Sequence, residues 1–421
     1  MLQSMKIVGG AMLIGEIPIS GAKNLALPAL VASLLTESSI IYKNVPNLVD
    51  ITSMLDLLST IGTEIVYNNC NEIILKTYDI RATEASYDYV RKMRASILVL
   101  GALIARCRKA KVSLPGGCAI GTRGVDLHIK ALETMGAEIS IDNGYIIANA
   151  ENGLVGCDIT FPKATVTGTE NILMAAVLAS GTTRVINAAM EPEIVAFCEL
   201  LNKMGARISG AGTSIITIEG VDVLRGTEFE IIPDRIEAGT YAIATAVTNG
   251  KVLLKNCKYE HLVSFFETLQ LAGVACEKKD NGVLVYRKLD EIQPVSVQTA
   301  PYPGFPTDLQ AQYTVLMSIC NGSASITENI FENRFMHIPE LARMGANITI
   351  HGTTAIVAGV KSLKGAQVMA TDLRASVSLV IAGLIAEGET IVNRLYHLDR
   401  GYENLEEKLN NCGANVERFE V

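Results

Sequence analysis

Six stretches of the chain are apolar nearly all round: 25–35, 96–105, 171–179, 240–247, 312–320 and 376–386. A helix without a wide polar face has to be buried on most of its sides, so these six are expected inside the protein, with sheets and amphipathic helices packed around them. Each is followed by a β run, a loop and an amphipathic stretch that stops at a glycine, then by one or two further strands. The glycines are Gly62, Gly136, Gly205, Gly273, Gly345 and Gly413, and they recur every 68–74 residues. The pattern predicts one α/β unit copied six times.

Six units divide as three plus three. The expected fold class is therefore α/β, built as two inside-out barrel domains, each of three repeated β/α units with its helices buried. A length of 421 residues points the same way, because a single core stops growing near about 250–300 residues. The third unit ends near Gly220 and Ile232-Pro233-Asp234-Arg235 opens the fourth, which puts the crossover near 230–235. The first 21 residues can pair with either half. The cleft between the two domains is the expected site.

Composition narrows the function classes. Hydrophobic residues make up 49% of the chain and charged ones 19%, which excludes a disordered chain. A net charge of −8 argues against nucleic acid as the main partner and requires any anion site to be local. The short basic run from Arg106 to Lys111 reads as a solvated surface. Nine cysteines without a C-x-x-C pair fit neither a disulfide framework nor a zinc ribbon and suit a reducing cytoplasm. No secretory signal is read at the start, and runs such as 25–35 and 375–386 fall short of the roughly 20 residues a membrane span needs. A soluble chain is expected.

The candidate chemistry gathers at two places in the repeat. Lys23, Arg94, Arg235, Asp308 and Arg374 stand just ahead of buried helices. Helix N-termini carry unpaired N–H groups and a partial positive charge, so a cation there strengthens an anion site; for any one of them a surface charge beside a loop is the plainer alternative. The loop Pro115-Gly116-Gly117-Cys118-Ala119-Ile120-Gly121-Thr122-Arg123-Gly124 joins a β run to an amphipathic helix. Its glycines suit a lid, with the Arg123 guanidinium for negative charge and the Cys118 thiol to deliver a proton or attack. The matching loops of units five and six carry Arg334 and Arg400. Asp308 follows the turn Pro303-Gly304-Phe305-Pro306-Thr307 and is either a helix N-cap or a general base aimed at a substrate hydroxyl. The other eight cysteines read as small buried hydrophobes, and the five histidines as structural, hydrogen-bonded residues. No His, Asp and Glu cluster stands at metal spacing, so acid–base chemistry without a metal on a multiply anionic substrate is expected.

Several segments carry a resemblance: Ile19-Ser20-Gly21-Ala22-Lys23-Asn24, Met93-Arg94-Ala95-Ser96, Pro115-Gly116-Gly117-Cys118, Glu191-Pro192-Glu193-Ile194, Thr307-Asp308-Leu309-Gln310-Ala311-Gln312, Glu332-Asn333-Arg334-Phe335-Met336 and Asp399-Arg400-Gly401-Tyr402-Glu403. In this order, essentially end to end, the chain resembles the UDP-N-acetylglucosamine 1-carboxyvinyltransferases, a family of enolpyruvyl transferases. The resemblance implies two inside-out domains, the first, 22–231, carrying the catalytic loop and the second formed by 1–21 with 232–421. It implies transfer of the enolpyruvyl group of phosphoenolpyruvate to the 3-hydroxyl of UDP-N-acetylglucosamine with release of phosphate. That is the first committed step of peptidoglycan synthesis, and so bears on cell-wall biogenesis, cell shape, the cell cycle and cell division.

No cofactor is implied. Cys118 is the implied proton donor to the phosphoenolpyruvate methylene and a site of covalent adduct formation, and Asp308 the implied base; Lys23 and Arg400 complete the catalytic set. Phosphoenolpyruvate would meet Lys23, Asn24, Arg123, Arg334, Arg374 and Arg400. The nucleotide sugar would meet Arg94, Arg123, Gly124, Val125, Asp126, Leu127, Lys163, Ala164, Thr165, Val166, Asp308 and Ile330. UDP-N-acetylmuramate is an implied feedback ligand and fosfomycin an implied thiol alkylator. Two positions depart from the family pattern: Gly124, where members often have Pro, and Thr167, where many have Gly. The nearest other enzyme is 5-enolpyruvylshikimate-3-phosphate synthase, against which the loop cysteine argues; a silent nucleotide-sugar-binding regulator is the alternative from another class.

Overall fold

The computed structural model describes residues 3–69, 71–91, 93–114 and 124–420. Its described residues form two compact units, one from 21–232 and the other from 3–20 with 233–420. Each repeat contributes one buried and one amphipathic helix. In the first unit these are α1 (Lys23–Ala32) with α2 (Val49–Ile61), α3 (Val99–Cys107) with α4 (Asp126–Thr134), and α5 (Val166–Ala176) with α6 (Pro192–Lys203). In the second they are α7 (Arg235–Val247) with α8 (Val263–Leu271), α9 (Gln310–Met317) with α10 (Ile338–Arg343), and α11 (Leu373–Ile385) with α12 (Leu405–Asn410).

The six glycines that mark the repeat all adopt positive φ, between 90° and 130°. A side chain is strained there, which is why the amphipathic helix stops at the same place in every copy. Each copy also builds the same four-stranded sheet among the described residues: a parallel edge pair followed by two antiparallel neighbours. In the second repeat the order is Glu84–Ala85, Lys109–Ser113, Tyr145–Asn149, Glu138–Asp142. The last two strands join through Asn143 and Gly144, at φ 49° and 79°, the two left-handed residues that a tight hairpin matched to strand twist requires.

Chain ends close the sheets. Glu228–Glu230, at the end of the first unit, lies parallel to Ile40–Lys43 of its first repeat. Gln3–Val8 pairs antiparallel with both Glu389–Asn393 and Asn415–Glu420, and Ile14–Pro18 runs parallel to Lys251–Lys255. The N-terminal segment, free by pattern to join either half, thus completes the fourth and sixth sheets.

Strand positions alternate between core and solvent, as in Tyr145–Asn149, which buries Ile146 and Ala148. These inner faces share one core per unit with the buried helices. Leu30 in α1 and Leu379 in α11 are fully buried, and truncating either to Ala costs about 2–5 kcal/mol.

Three expectations need correction. The buried helices begin earlier than their apolar runs: Asp234 and Asp372 accept from the amides of Ile236 and Glu237 and of Arg374 and Ala375. Arg235 and Arg374 therefore lie inside the first turn rather than ahead of it, as do Lys23 at the start of α1 and Arg94 at the start of a 3-10 turn leading into α3. Arg106 is not a solvated charge: it donates to the carbonyls of Leu34, Thr36 and Tyr78 at 2.9–3.1 Å. Cys107 and Cys157 are only half-buried, whereas Cys198, Cys257, Cys276, Cys320 and Cys412 are buried.

Candidate active site

In the first unit the expected site residues sit at helix starts. Lys23 opens α1, nearly buried, and its Nζ donates to Asp50 Oδ2 at 3.1 Å; Asp50 is in the first turn of α2 and is 3% exposed. Asn24, next to it, is half-buried. Arg94 donates from Nη2 to the Gly124 carbonyl at 3.4 Å, which ties it to the expected nucleotide segment. Of that segment Val125 caps α4, and Asp126 and Leu127 form its first turn. A Cβ at Gly124 would meet Asp126 Oδ1 at 2.4 Å, so this departure from the family pattern leaves room for the Asp126 carboxylate to fold back. The second expected segment, Lys163 to Val166, ends at the start of α5, where Thr165 Oγ1 caps the helix by accepting from Gly168 N at 3.3 Å.

A buried pair behind these segments was read only in part. Asn171 Nδ2 donates to His128 Nδ1 at 2.9 Å, and Asn171 Oδ1 accepts from Gly101 N at 2.7 Å. With Nδ1 accepting, the imidazole proton is on Nε2, facing Thr167 Oγ1 at 3.5 Å. Thr167, the second departure, thus partners the histidine. Burial, helped by the Arg94 charge, pushes the imidazole down to about 4, so it stays neutral at pH 7. The pair fastens α3, α4 and α5 together beneath both expected nucleotide segments.

The second unit holds the acid. Asp308 lies in the turn Thr307–Leu309 ahead of α9 and caps nothing: Arg334 Nη2 donates to its Oδ1 at 2.6 Å and Arg374 Nη2 to its Oδ2 at 2.8 Å. The N-cap alternative is set aside by this geometry. The second terminal nitrogen of each guanidinium finds a hydroxyl, Thr307 Oγ1 at 2.9 Å for Arg334 and Tyr402 Oη at 3.1 Å for Arg374. Tyr402 Oη meets Thr240 Oγ1 at 2.9 Å, and Gln312 Nε2 donates to both. Burial disfavours the Asp308 charge, but the Arg374 and Arg334 guanidiniums outweigh it and hold the carboxyl well below the usual carboxylate range. Both arginines are 6% exposed.

Ile330 sits two residues beyond Glu328, a carboxylate that caps its turn. Arg400 ends the turn Leu395–Arg400, half-buried, close enough to His397 to lower its basicity after burial. Arg235 stacks on Tyr302, 5.6 Å from the ring centroid. His337 is 1% exposed, and burial, only partly offset by the nearby Asp372 charge and a hydrogen bond with the Arg334 backbone, pushes its imidazole down to about 4. Cys118 and Arg123 lie outside the described residues. Among the described residues no group of three His, Cys, Asp or Glu is placed to hold a metal ion, and no helix is long and apolar enough to cross a membrane.

Asp50, Glu328, Tyr402 and Asn171 were not singled out by sequence. Asp50 carried a usable signal, an acid on the apolar face of an amphipathic helix among Ile51, Met54 and Leu55. The side-chain partners of the other three are remote in sequence.

Comparison with known proteins agrees across sequence and fold. The UDP-N-acetylglucosamine 1-carboxyvinyltransferase of Granulibacter bethesdensis is 56% identical over 419 residues, covering 99% of this chain and 100% of the relative. That of Rhodospirillum centenum is 56% identical over 427 residues, covering 99% of each. Among solved structures, the enolpyruvyl transferase NikO from Streptomyces tendae superposes with a TM-score of 0.90 at 22% identity, over 100% of this chain and 99% of that one. EPSP synthase from Acinetobacter baumannii does so with 0.78 at 17% identity, over 100% of each chain. These two structures show the fold. The family description "EPSP synthase (3-phosphoshikimate 1-carboxyvinyltransferase)" matches residues 7–409, and the chain belongs to that family of enolpyruvyl transferases, within which it is similar to the UDP-N-acetylglucosamine 1-carboxyvinyltransferases.

Proposed function

We propose that the chain transfers the enolpyruvyl group of phosphoenolpyruvate to the 3-hydroxyl of UDP-N-acetylglucosamine, releasing phosphate, as the first committed step of peptidoglycan synthesis. The observation that carries the reading is the Asp308 carboxylate gripped by two buried guanidiniums, in a chain more than half identical to relatives bearing that name. In the addition step the sugar oxygen bonds to C2 of phosphoenolpyruvate, the hydroxyl proton passes to a base and the C3 methylene gains a proton. In the elimination step a proton leaves C3 and the bond from C2 to the phosphate oxygen breaks.

Cys118 supplies the proton to C3 and is able to hold the substrate as a covalent adduct. Asp308 is the base. Held by Arg334 and Arg374 it is a weak one, so the anionic groups of phosphoenolpyruvate, arriving at those guanidiniums, compete with it for the same N–H donors and raise its proton affinity. Lys23, Asn24, Arg123 and Arg400 complete the cradle around the substrate's roughly three negative charges, where cations set around developing charge act most strongly once water is excluded. The nucleotide sugar meets Arg94, Arg123 to Leu127, Lys163 to Val166, Asp308 and Ile330. Residues 22–231 serve as the catalytic-loop domain, and 1–21 with 232–421 as the second. We also place the reaction in the cytoplasm, under feedback from UDP-N-acetylmuramate, with cell shape and division downstream.

The test is phosphate release from phosphoenolpyruvate by purified protein with UDP-N-acetylglucosamine or shikimate-3-phosphate as acceptor, beside Cys118→Ala. Release with the nucleotide sugar alone, abolished in the variant and by prior fosfomycin treatment in the presence of nucleotide sugar, is expected. Release with shikimate-3-phosphate alone, or with neither acceptor from a folded protein, overturns the reading.

A further inference from the structure

Beyond the groups assigned so far, a buried acid two residues before Ile330 links the parts of the second unit's site. Glu328 follows the strand Ser323–Thr327 and is 2% exposed. Its Oε1 accepts from Thr299 Oγ1 at 2.9 Å, from Ile330 N at 2.8 Å and from Phe331 N at 3.1 Å. Its Oε2 accepts from Thr307 Oγ1 at 2.9 Å. The first three bonds fix the turn that carries Ile330. The fourth leaves that turn and reaches the residue beside Asp308.

We infer that Glu328 is a positioning residue for this site, one carboxylate setting both the orientation of Arg334 and the backbone around Ile330; the inference rests on the function proposed above. A threonine hydroxyl has one proton and two lone pairs. Thr307 gives its proton to Glu328, which turns its lone pairs toward Arg334 Nη1 at 2.9 Å, while Arg334 Nη2 reaches Asp308 Oδ1 at 2.6 Å. The capped turn also brings the Phe331 ring to 5.0 Å from the Arg334 guanidinium carbon. Arg334 is therefore held from both sides by groups that Glu328 fixes, and a guanidinium seated at several points grips an anion at a defined angle. Arg374, by contrast, is seated by the Tyr402 phenol.

The acid is needed in its acceptor-only form. Glu328→Gln keeps the size and one oxygen for the three donors at the turn, but sets an N–H donor opposite Thr307. Thr307 must then accept from two sides and its own proton loses its acceptor, so the hydroxyl on which Arg334 sits is no longer oriented while the turn stays capped. Thr307→Val breaks only the relay, Thr307→Ser preserves it, and Glu328→Ala uncaps the turn as well.

The experiment uses the full-length variants and reads kcat and KM for each substrate by phosphate release, with amide hydrogen exchange over residues 328–337. A lost hydrogen bond to a charged group is expected to cost about 10- to 100-fold. Glu328→Gln and Thr307→Val should raise KM for phosphoenolpyruvate or lower kcat by that much, with KM for the nucleotide sugar within about threefold of wild type and Thr307→Ser restoring the wild-type constants. Glu328→Ala should in addition raise KM for the nucleotide sugar and speed exchange at Ile330 and Phe331. Unchanged constants in Glu328→Gln and Thr307→Val, or a loss explained wholly by a smaller folded fraction, overturn the inference. If wild type itself releases no phosphate with this acceptor, the proposed function fails instead; the exchange arm then decides, since unaltered exchange at Ile330 and Phe331 in Glu328→Ala removes the claim that the acid sets this backbone.

Discussion

Lys23 and Asp308 occupy matching places in the first and fifth repeats, and their ion pairs are inverted. Lys23 at the start of α1 reaches Asp50 27 positions on, in the first turn of α2. Asp308 ahead of α9 reaches Arg334 26 positions on, shortly before α10. Repetition preserved a place where charge is held at the edge of a core, and left its sign free. The surroundings differ too. Asp308 is met by a second guanidinium, Arg374, so the acid is outnumbered by cations and the triad carries a net positive charge. Around Asp308 cationic charge is left in excess of the acid, and at Lys23 a cation is held close to an acid.

The sharpest way to break the comparison is to neutralise the acid. Asp308→Asn should lower kcat by about 100- to 10,000-fold, the range for a lost general acid–base group, in steady-state phosphate release; a fall of less than tenfold removes Asp308 from the proton transfers. Next comes the cation. Lys23→Met takes from the buried Asp50 the ammonium it accepts from, and should lower folding stability by up to about 3–5 kcal/mol in urea unfolding; a loss under 1 kcal/mol would show that the pair is dispensable to the core.

A third prediction compares buried histidines, His128 held between Asn171 and Thr167 and His337 beside Asp372 and the Arg334 backbone. Burial holds each down to about 4 in the folded protein, against about 6.5 when unfolded. The unfolded chain therefore takes up the protons first as pH falls. Stability is full above about pH 6.5 and declines toward pH 4, by up to roughly 3 kcal/mol per histidine. His128→Gln should flatten that decline, measured as the urea midpoint between pH 7 and 4.5; an unchanged slope would assign acid lability elsewhere. Smallest is Thr240→Val, which removes one partner of Tyr402 but leaves Arg374 and Gln312 on the phenol. A loss of about 1 kcal/mol is expected by calorimetry, and one several times larger would mean that Thr240 itself orients the phenol.

The repeat was legible because it is written in local chemistry. A glycine that takes positive φ and a helix with no polar face are recognised from a few neighbouring residues, and both stood where expected in six copies. Helix starts were less legible. The apolar run begins only after the first turn, so the ionisable residues that looked external are helical, capped by acids such as Asp234 and Asp372. Long-range polar contacts were not legible at all. Arg106 finds carbonyls 72 and 70 residues away at Leu34 and Thr36, and Glu328 meets Thr299 29 residues back; no spacing rule joins such pairs. Within the site, resemblance supplied the names of Asp308, Arg334 and Arg374, but not that the two guanidiniums take one carboxylate oxygen each.

The most direct test of this account is the ionisation of Asp308 itself, followed by carbon-13 NMR of labelled aspartate carboxyls and assigned with Asp308→Asn, with and without phosphoenolpyruvate. The account predicts a carboxyl that stays ionised to well below the ordinary midpoint of about 3.9 in the free protein, and whose midpoint rises when phosphoenolpyruvate occupies the arginines. An ordinary midpoint in the free protein, or one that phosphoenolpyruvate leaves unmoved, would contradict a base that is restrained by its arginines and released by its substrate.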